Sequence, residues 1–180
     1  MNCQGRVPKA GGNADYPPRC PDDKLSRQME GVLRNFDLGG VSLLYGSARG
    51  DMSDDELVAW LERYRQALQS ARDAGRRTAT IVDLRHSEAP TAKQRRLQTD
   101  WNRETESLVR VVTLCIAFVV SSRVMRGIMT AIFWVKPPAA RYALFESMHD
   151  ALTWTLESCK RSGVSIDPES ERASWLALSR

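Results

Sequence analysis

The chain has 180 residues, of which 42% are hydrophobic and 27% are charged, and its formal net charge is +4 at pH 7. This length fits one domain with tails and suffices to bury a core, and the composition is that of an ordinary globular protein. The mild positive charge falls short of the clustered charge of a dedicated nucleic-acid binder. Aromatic residues are also not interleaved with the basic ones, as single-strand binders require. We therefore expect no nucleic-acid partner.

The four cysteines, Cys3, Cys20, Cys115 and Cys159, have neither C-x-x-C nor metal-ligand spacing. Cys115 lies in an apolar stretch and Cys159 in a predicted helix, so both are interpreted as small buried hydrophobes. A bridge between Cys3 and Cys20 is disfavoured in a reducing compartment. No apolar run follows the first basic residues, and the longest one, 111–120, is about half of what spans a bilayer. These observations predict a cytoplasmic protein without membrane insertion and without a bound metal.

Residues 1–26 are rich in Gly, Pro, Asn and Asp and predict a flexible N-terminal tail. The next elements in chain order are a strand over 28–36 (a helix is not excluded there), a strand over 41–45, a helix from 53 to 75, a strand over 80–84, a helix over 91–107, a strand over 111–120, a helix over 124–135, a strand over 141–145 and a helix over 149–161.

Gly39-Gly40 separates the first two strands and predicts an opening hairpin. The later alternation of strands with helices predicts an α/β domain over 27–162. Its sheet is expected to be mixed and mostly parallel, with four to five strands and about four helices. Residues 163–180 form a C-terminal extension with one further predicted helix, over 168–178.

The most informative stretch runs from Thr78 to Arg96. It predicts a buried strand that ends around Asp83, a short polar loop and a helix start. Thr91 with Gln94 three residues later has the form of a capping box. A strand end and a helix N-terminus that meet at one point create a surface suited to anions or protein partners.

The order of elements resembles the STAS superfamily, the anti-sigma-factor-antagonist fold, and especially its SpoIIAA-like and STAS/SEC14-type members. The resemblance rests on Ile81-Val82-Asp83-Leu84 with the following loop and helix, on the apolar stretch 111–120, and on the closing segment 142–154. It extends over roughly 27–162. The resemblance implies a non-catalytic regulatory module that binds another protein and holds no cofactor.

In the phospho-switch members of that superfamily, a partner kinase phosphorylates a Ser or Thr at the N-terminus of the helix after the Asp-ending strand. The usual Asp-Ser-Ser-Gly type of signature is absent here, and Ser87-Glu-Ala-Pro-Thr91 stands in its place. The resemblance therefore implies Thr91, with Ser87 as a second candidate, as the switch residue. The plainer interpretation of Thr91, a helix N-cap without regulatory role, stays open.

Basic residues surround this helix start, namely Arg85, Lys93, Arg95 and Arg96. They predict a contact surface that attracts phosphate or an acidic protein surface. The alternative is a solvated face whose aliphatic stems cover apolar neighbours.

The segment 124–135 is more apolar than an edge helix needs. It either packs flat on the sheet or exposes a patch, with Met125, Met129, Phe133 and Trp134 as the candidate residues. Such a patch would serve self-association into a homodimer. A pocket beneath the helix 123–135 would instead make the protein a small carrier or sensor of an apolar or anionic ligand.

An enzyme centred on Asp83 and His86 is the third hypothesis. A Ser-His-Asp hydrolase would need these groups to converge on one point. Residues along a strand point to alternate faces, and the chain has no G-x-S-x-G elbow. We therefore expect a solvated His86 and a non-catalytic protein.

Overall fold

The computed structural model describes residues 31–178, so the predicted tail and the cysteines Cys3 and Cys20 lie outside the described residues. The described part contains strands and helices in the order β1 (Val32–Asp37), β2 (Val41–Gly50), α1 (Asp54–Asp73), β3 (Arg77–Ser87), α2 (Ala92–Val112), β4 (Thr113–Val119), α3 (Arg123–Val135), β5 (Arg141–Phe145), α4 (Met148–Arg161) and α5 (Pro168–Leu178).

The five strands form one sheet in their chain order, β1-β2-β3-β4-β5. Strand β1 pairs antiparallel with β2, and every later pair is parallel. This confirms the predicted hairpin and the mixed, mostly parallel sheet. Each parallel connection steps to the next strand in the same direction, and right-handed crossovers then place α1, α2 and α3 on one face. Helices α4 and α5 cover the other face.

Each face of the sheet has its own core. Leu43, Ile81 and Ala117 are fully buried beneath α4 and α5. Their strand neighbours Leu44 and Ile116 belong to the core beneath α1, α2 and α3. Because side chains alternate along a strand, a sheet that is covered on both faces needs apolar residues at successive positions. This requirement explains the nearly continuous apolar sequence of β4.

A row of aromatic rings joins α1 to α2 above the sheet. Tyr64 lies between Trp60 and Trp101, with ring centroids 5.7 Å and 5.4 Å away. The Tyr64 hydroxyl shares a hydrogen bond of 2.9 Å with Thr80, and burial raises the pKa of Tyr64 to about 12. A side chain at Gly46 would lie 2.6 Å from the Trp60 ring, so a glycine is required below that indole.

The boundary between α2 and β4 differs from the prediction. The apolar run was expected to be strand from Val111 onward, but the helix continues to Val112. Val109 and Val112 are buried at helical spacing, whereas Val111 is 62% exposed. The run therefore belongs to two elements, and its first residues pack as the last turn of an amphipathic helix.

The segment after residue 163 also covers the sheet. Ile166 forms a β-bridge with Gly39, and the Asp167 amide donates to the Leu38 carbonyl at 3.0 Å. Helix α5 then places Leu178 in the core beneath α4.

Candidate functional site

Asp83 is the centre of a polar cluster near the carboxyl end of β3. Its side chain is 5% exposed. It accepts hydrogen bonds from Arg85 Nε at 2.9 Å, Arg85 Nη2 at 2.8 Å and the Arg85 amide at 3.1 Å. The Tyr45 hydroxyl donates a further bond at 3.1 Å. Both carboxylate oxygens are therefore engaged within the chain.

This geometry sets the ionisation of the cluster. Burial alone would raise the pKa of Asp83, but the hydrogen bonds and charge of Arg85 outweigh it and lower the pKa below its usual value. The pKa of Tyr45 is raised by burial and by the Asp83 charge. Asp83 thus stays ionised and paired, and its main role in this arrangement is to anchor Arg85, whose side chain is 31% exposed.

The residues after Asp83 remain in the strand, since β3 extends to Ser87 and, after a register shift between Ser47 and Arg49, His86 and Ser87 pair in parallel with Arg49 and Gly50 of β2. The prediction that the strand ends at Leu84 is therefore wrong. His86 is exposed, and within residues 31–178 it makes no hydrogen bond or ion pair with Asp83. The Ser87 hydroxyl donates to the Leu84 carbonyl at 3.0 Å. The triad that an Asp83/His86 enzyme would need is not assembled.

Thr91 caps α2 as the sequence predicts. Its hydroxyl accepts from the Gln94 amide at 3.1 Å, and Gln94 Oε1 accepts from the Thr91 amide at 2.9 Å. Gln94 is buried, and its Nε2 donates to the Met52 carbonyl in the loop before α1. Helix α1 begins with the same box, made by Ser53 and Glu56. The two capped helix starts lie side by side at the carboxyl edge of the sheet.

The predicted basic surface around this edge is partly occupied by intramolecular contacts. Lys93 forms an ion pair of 2.7 Å with Asp54 of α1. Arg95 Nη1 donates to the Pro90 carbonyl at 2.7 Å. Arg96 is exposed, and no side-chain hydrogen bond or ion pair to it occurs within residues 31–178. Arg95 and Arg96 thus form no ion pair within residues 31–178, whereas Arg85 is paired with Asp83 and Lys93 with Asp54.

The candidate residues of α3 divide between two faces of the helix. Met125 is 6% exposed, and Met129 and Phe133 pack in the same core. The Phe133 ring lies 5.1 Å from that of Phe118, by ring centroids. Trp134 is 87% exposed on the opposite side. Side chains therefore fill the space beneath α3 where a ligand pocket was considered.

Tyr45 is the residue of this site that sequence reasoning missed. It follows Val41 and Leu43 at alternate positions on one face of β2, beneath α4 and α5. That periodicity could have placed it beside Asp83, because β2 and β3 run in parallel and end at the same edge.

Neither a protein-family model nor a curated protein matches the chain. Among solved structures, the chain is similar to an uncharacterized protein from the DUF3478 family with a SpoIIAA-like fold, from Shewanella loihica PV-4. The two chains are 13% identical with a TM-score of 0.53, and the match covers 72% of this chain and 96% of that one. At this identity the likeness concerns the fold alone. It confirms the STAS/SpoIIAA-like fold that the sequence resembles.

None of the helices between residues 31 and 178 has both the length and the apolarity that crossing a bilayer requires.

Proposed function

We propose that this chain is a non-catalytic regulatory module that binds an acidic protein partner. The contact surface is the start of α2 with the adjoining end of β3, and Arg95 and Arg96 are its principal contacts. The STAS/SpoIIAA-like fold is consistent with this role. The observation that carries the proposal is the exposure of these two arginines beside a capped helix start.

The charge pattern of α2 supports a binding role for this surface. The first turn of α2 contains no acidic residue, whereas that of α1 contains Asp54, Asp55 and Glu56. Cations at a helix N-terminus oppose the helix dipole and lower helix stability. The arginines at the start of α2 therefore weaken the isolated helix, but they suit an anionic group placed beside it.

Thr91 is the better of the two candidate switch residues. Its side chain is exposed, whereas Ser87 is half-buried and its hydroxyl is bonded to a carbonyl. A phosphate on Thr91 would gain from the helix dipole and from the nearby guanidinium groups. Modification there would offset the positive charge of Arg95 and Arg96 and so lower the affinity for an acidic partner.

The test is a quantitative pull-down from a lysate of the native host, with the full chain as bait. We expect Arg95→Glu/Arg96→Glu to reduce the recovery of a bound protein at least tenfold, about the effect of 1.4 kcal/mol of lost binding energy. The matched control is Arg103→Glu/Arg110→Glu, since those side chains lie on the same helix and are 69% and 68% exposed. The control should retain the protein.

Recovery of the same proteins by both double variants would contradict the proposed surface. Phosphopeptide mapping of the protein purified from its host examines the switch separately. Phosphate on Thr91 is the expected finding, and phosphate on Ser87 alone would contradict the preference for Thr91.

A further inference from the structure

Two cysteines, Cys115 and Cys159, lie together in the core between the sheet and α4. Both are free and fully buried. Cys115 belongs to β4 and Cys159 to the last turn of α4, and both are part of the core beneath α4 and α5. The two thiols contact each other, with Cys115 as the hydrogen-bond donor.

The directions of α4 and β4 explain why these two residues meet. Phe145 pairs with Val119, so α4 starts with Met148 beside the carboxyl end of β4 and runs back towards the edge of the sheet where the parallel strands begin. Met148 and Cys159 are separated by about 17 Å along the helix. Val119 and Cys115 are separated by roughly 13 Å along the strand. The end of α4 therefore lies over the start of β4.

Small side chains allow α4 to lie close to the sheet. Ala79 pairs with Cys115 across the neighbouring strand, and Ala117 and Ala151 are fully buried between the sheet and α4. A disulfide requires Cα atoms no more than about 7 Å apart. Large side chains between the helix and the sheet would prevent such an approach.

The contact between the thiols gives them different reactivities. Cys159 and burial both raise the pKa of Cys115, whereas the hydrogen bond from Cys115 lowers the pKa of Cys159. Cys159 is thus the thiol that ionises first. Since the thiolate is the form that reacts with oxidants, Cys159 is the attacking group and Cys115 the resolving one.

We propose that Cys115 and Cys159 form a modification site, at which hydrogen peroxide converts the two thiols into an intramolecular disulfide. The Cys159 thiolate attacks one peroxide oxygen, the O–O bond breaks, and a sulfenic acid forms while the other oxygen leaves as water. The Cys115 sulfur then attacks the sulfenic sulfur, the S–O bond breaks, and the thiol proton leaves with a second water. Two thiols lose two electrons in total, and one peroxide is reduced to two waters.

Burial makes this reaction slow and makes its product stabilising. Both thiols are fully buried, so the oxidant reaches Cys159 only when the last turn of α4 opens, as helix ends do more readily than helix interiors. The disulfide ties the end of α4 to β4 and constrains the unfolded chain over the long segment between them. The site lies at the opposite edge of the sheet from Arg95 and Arg96, so the inference does not depend on the proposed function.

Oxidation of the full chain tests the proposal in a Cys3→Ser/Cys20→Ser background, in which Cys115 and Cys159 are the only cysteines. The folded protein is treated with hydrogen peroxide and then alkylated with N-ethylmaleimide in denaturant, and mass spectrometry counts the free thiols. We expect a monomer that has lost both thiols and two hydrogen atoms, without added oxygen. Dithiothreitol should restore both thiols, and the oxidised protein should have a higher thermal midpoint than the reduced one.

Cys115→Ala in the same background is the matched control, because it keeps Cys159 and removes its resolving partner. Peroxide should add oxygen to Cys159 in this variant without raising the thermal midpoint. Cys159→Ala is the reciprocal control. The main measurement changes no residue of the core, so it remains decisive even if a control variant fails to fold.

Several results would overturn the proposal. One is retention of both thiols in the folded protein at a peroxide concentration that consumes them in urea. The others are oxygen addition without disulfide formation, a disulfide only between two chains, and an oxidised protein whose thermal midpoint is not raised. None of these results bears on the pull-down with Arg95→Glu/Arg96→Glu, so the two proposals fail separately.

Discussion

Helices α2 and α3 both begin with basic side chains and lack acidic ones in their first turn. The two helices differ in the contacts that the rest of the chain makes with these basic side chains. At α2, Asp54 pairs with Lys93 and the Pro90 carbonyl accepts from Arg95. At α3, Arg126 reaches Glu146 at 3.3 Å, while Arg123 has no such contact within residues 31–178.

The comparison shows that the density of basic residues in a sequence does not measure their availability. Cations near α2 lie beside a second helix start and a strand end, which supply acceptors. The outer face of α3 has no neighbour of this kind within the described part of the chain, and it exposes Trp134 as well. The basic side chains of the first region are largely bound by their own chain, and the outer face of the second stays exposed in the described residues.

The largest loss of stability is expected from Asp83→Asn. The substitution removes the ion-pair partner of Arg85, so that Arg85, like Arg123, would have no ion pair within residues 31–178. The substitution removes a carboxylate that accepts charged hydrogen bonds at 2.8 and 2.9 Å. Such bonds contribute about 2 kcal/mol, so the free energy of unfolding should fall by about that amount in urea denaturation. Asp37→Asn, which breaks the exposed ion pair with Arg76, is the control and should cost less because water screens that pair.

The same pair predicts a dependence on pH. The pKa of folded Asp83 lies below its ordinary value of 3.8, so the unfolded chain binds a proton before the folded one does. The pair's contribution to stability is therefore complete above pH 3.8 and is lost as the pH falls through the folded pKa. The free energy of unfolding of Asp83→Asn should therefore fall less steeply below pH 3.8 than that of the wild type. The same dependence on pH in both proteins would show that Asp83 does not anchor the cluster.

Thr91→Ala should lower the free energy of unfolding by an intermediate amount. The variant tests how far the stability of α2 depends on its N-cap. Loss of the hydroxyl that accepts from the Gln94 amide should lower the free energy of unfolding by about 1 kcal/mol. Thr91→Ser should restore most of it. Ser53→Ala, in the matching box of α1, should cost a similar amount, and a negligible loss in Thr91→Ala would mean that the cap does not stabilise α2.

Gly127→Ala should give the smallest change in stability, and this change should be an increase. The added methyl group meets no neighbour within 4 Å, so the gain in helix propensity should raise stability by about 0.5 to 1 kcal/mol. Thermal unfolding at a low protein concentration, where self-association is negligible, measures it. A destabilised variant would mean that α3 is not open at this position.

Local rules account for much of the fold. The capping box of Thr91 was readable because its hydroxyl and the Gln94 partner are three residues apart, and the Ser53 box of α1 has the same spacing to Glu56. The hairpin was readable from Gly39-Gly40, and Gly39 does have a positive φ of 88°. Strand β5 was predicted with its observed bounds, Arg141–Phe145.

Predictions about contacts between elements were less complete. The bond from Arg85 to Asp83 depends on how side chains turn at the end of a strand, and the sequence offered Arg85 only as one cation among several. The sequence left open whether the candidates of α3 pack on the sheet or form an exposed patch, and the structure divides them, because Phe133 and Trp134 differ by about 100° around the helix. Only the sheet beneath α3 determines which of them is buried.

The sequence by itself determined the order of elements, the mostly parallel sheet and the capped start of α2, because these follow from periodicity and from bonds between residues a few positions apart. Tertiary structure decided which basic groups stay accessible and which face of α3 is exposed. Lys93 meets Asp54 because two helix starts come together at one edge of the sheet. Trp134 is exposed because the aromatic and methionine side chains on the other side of α3 already fill the core.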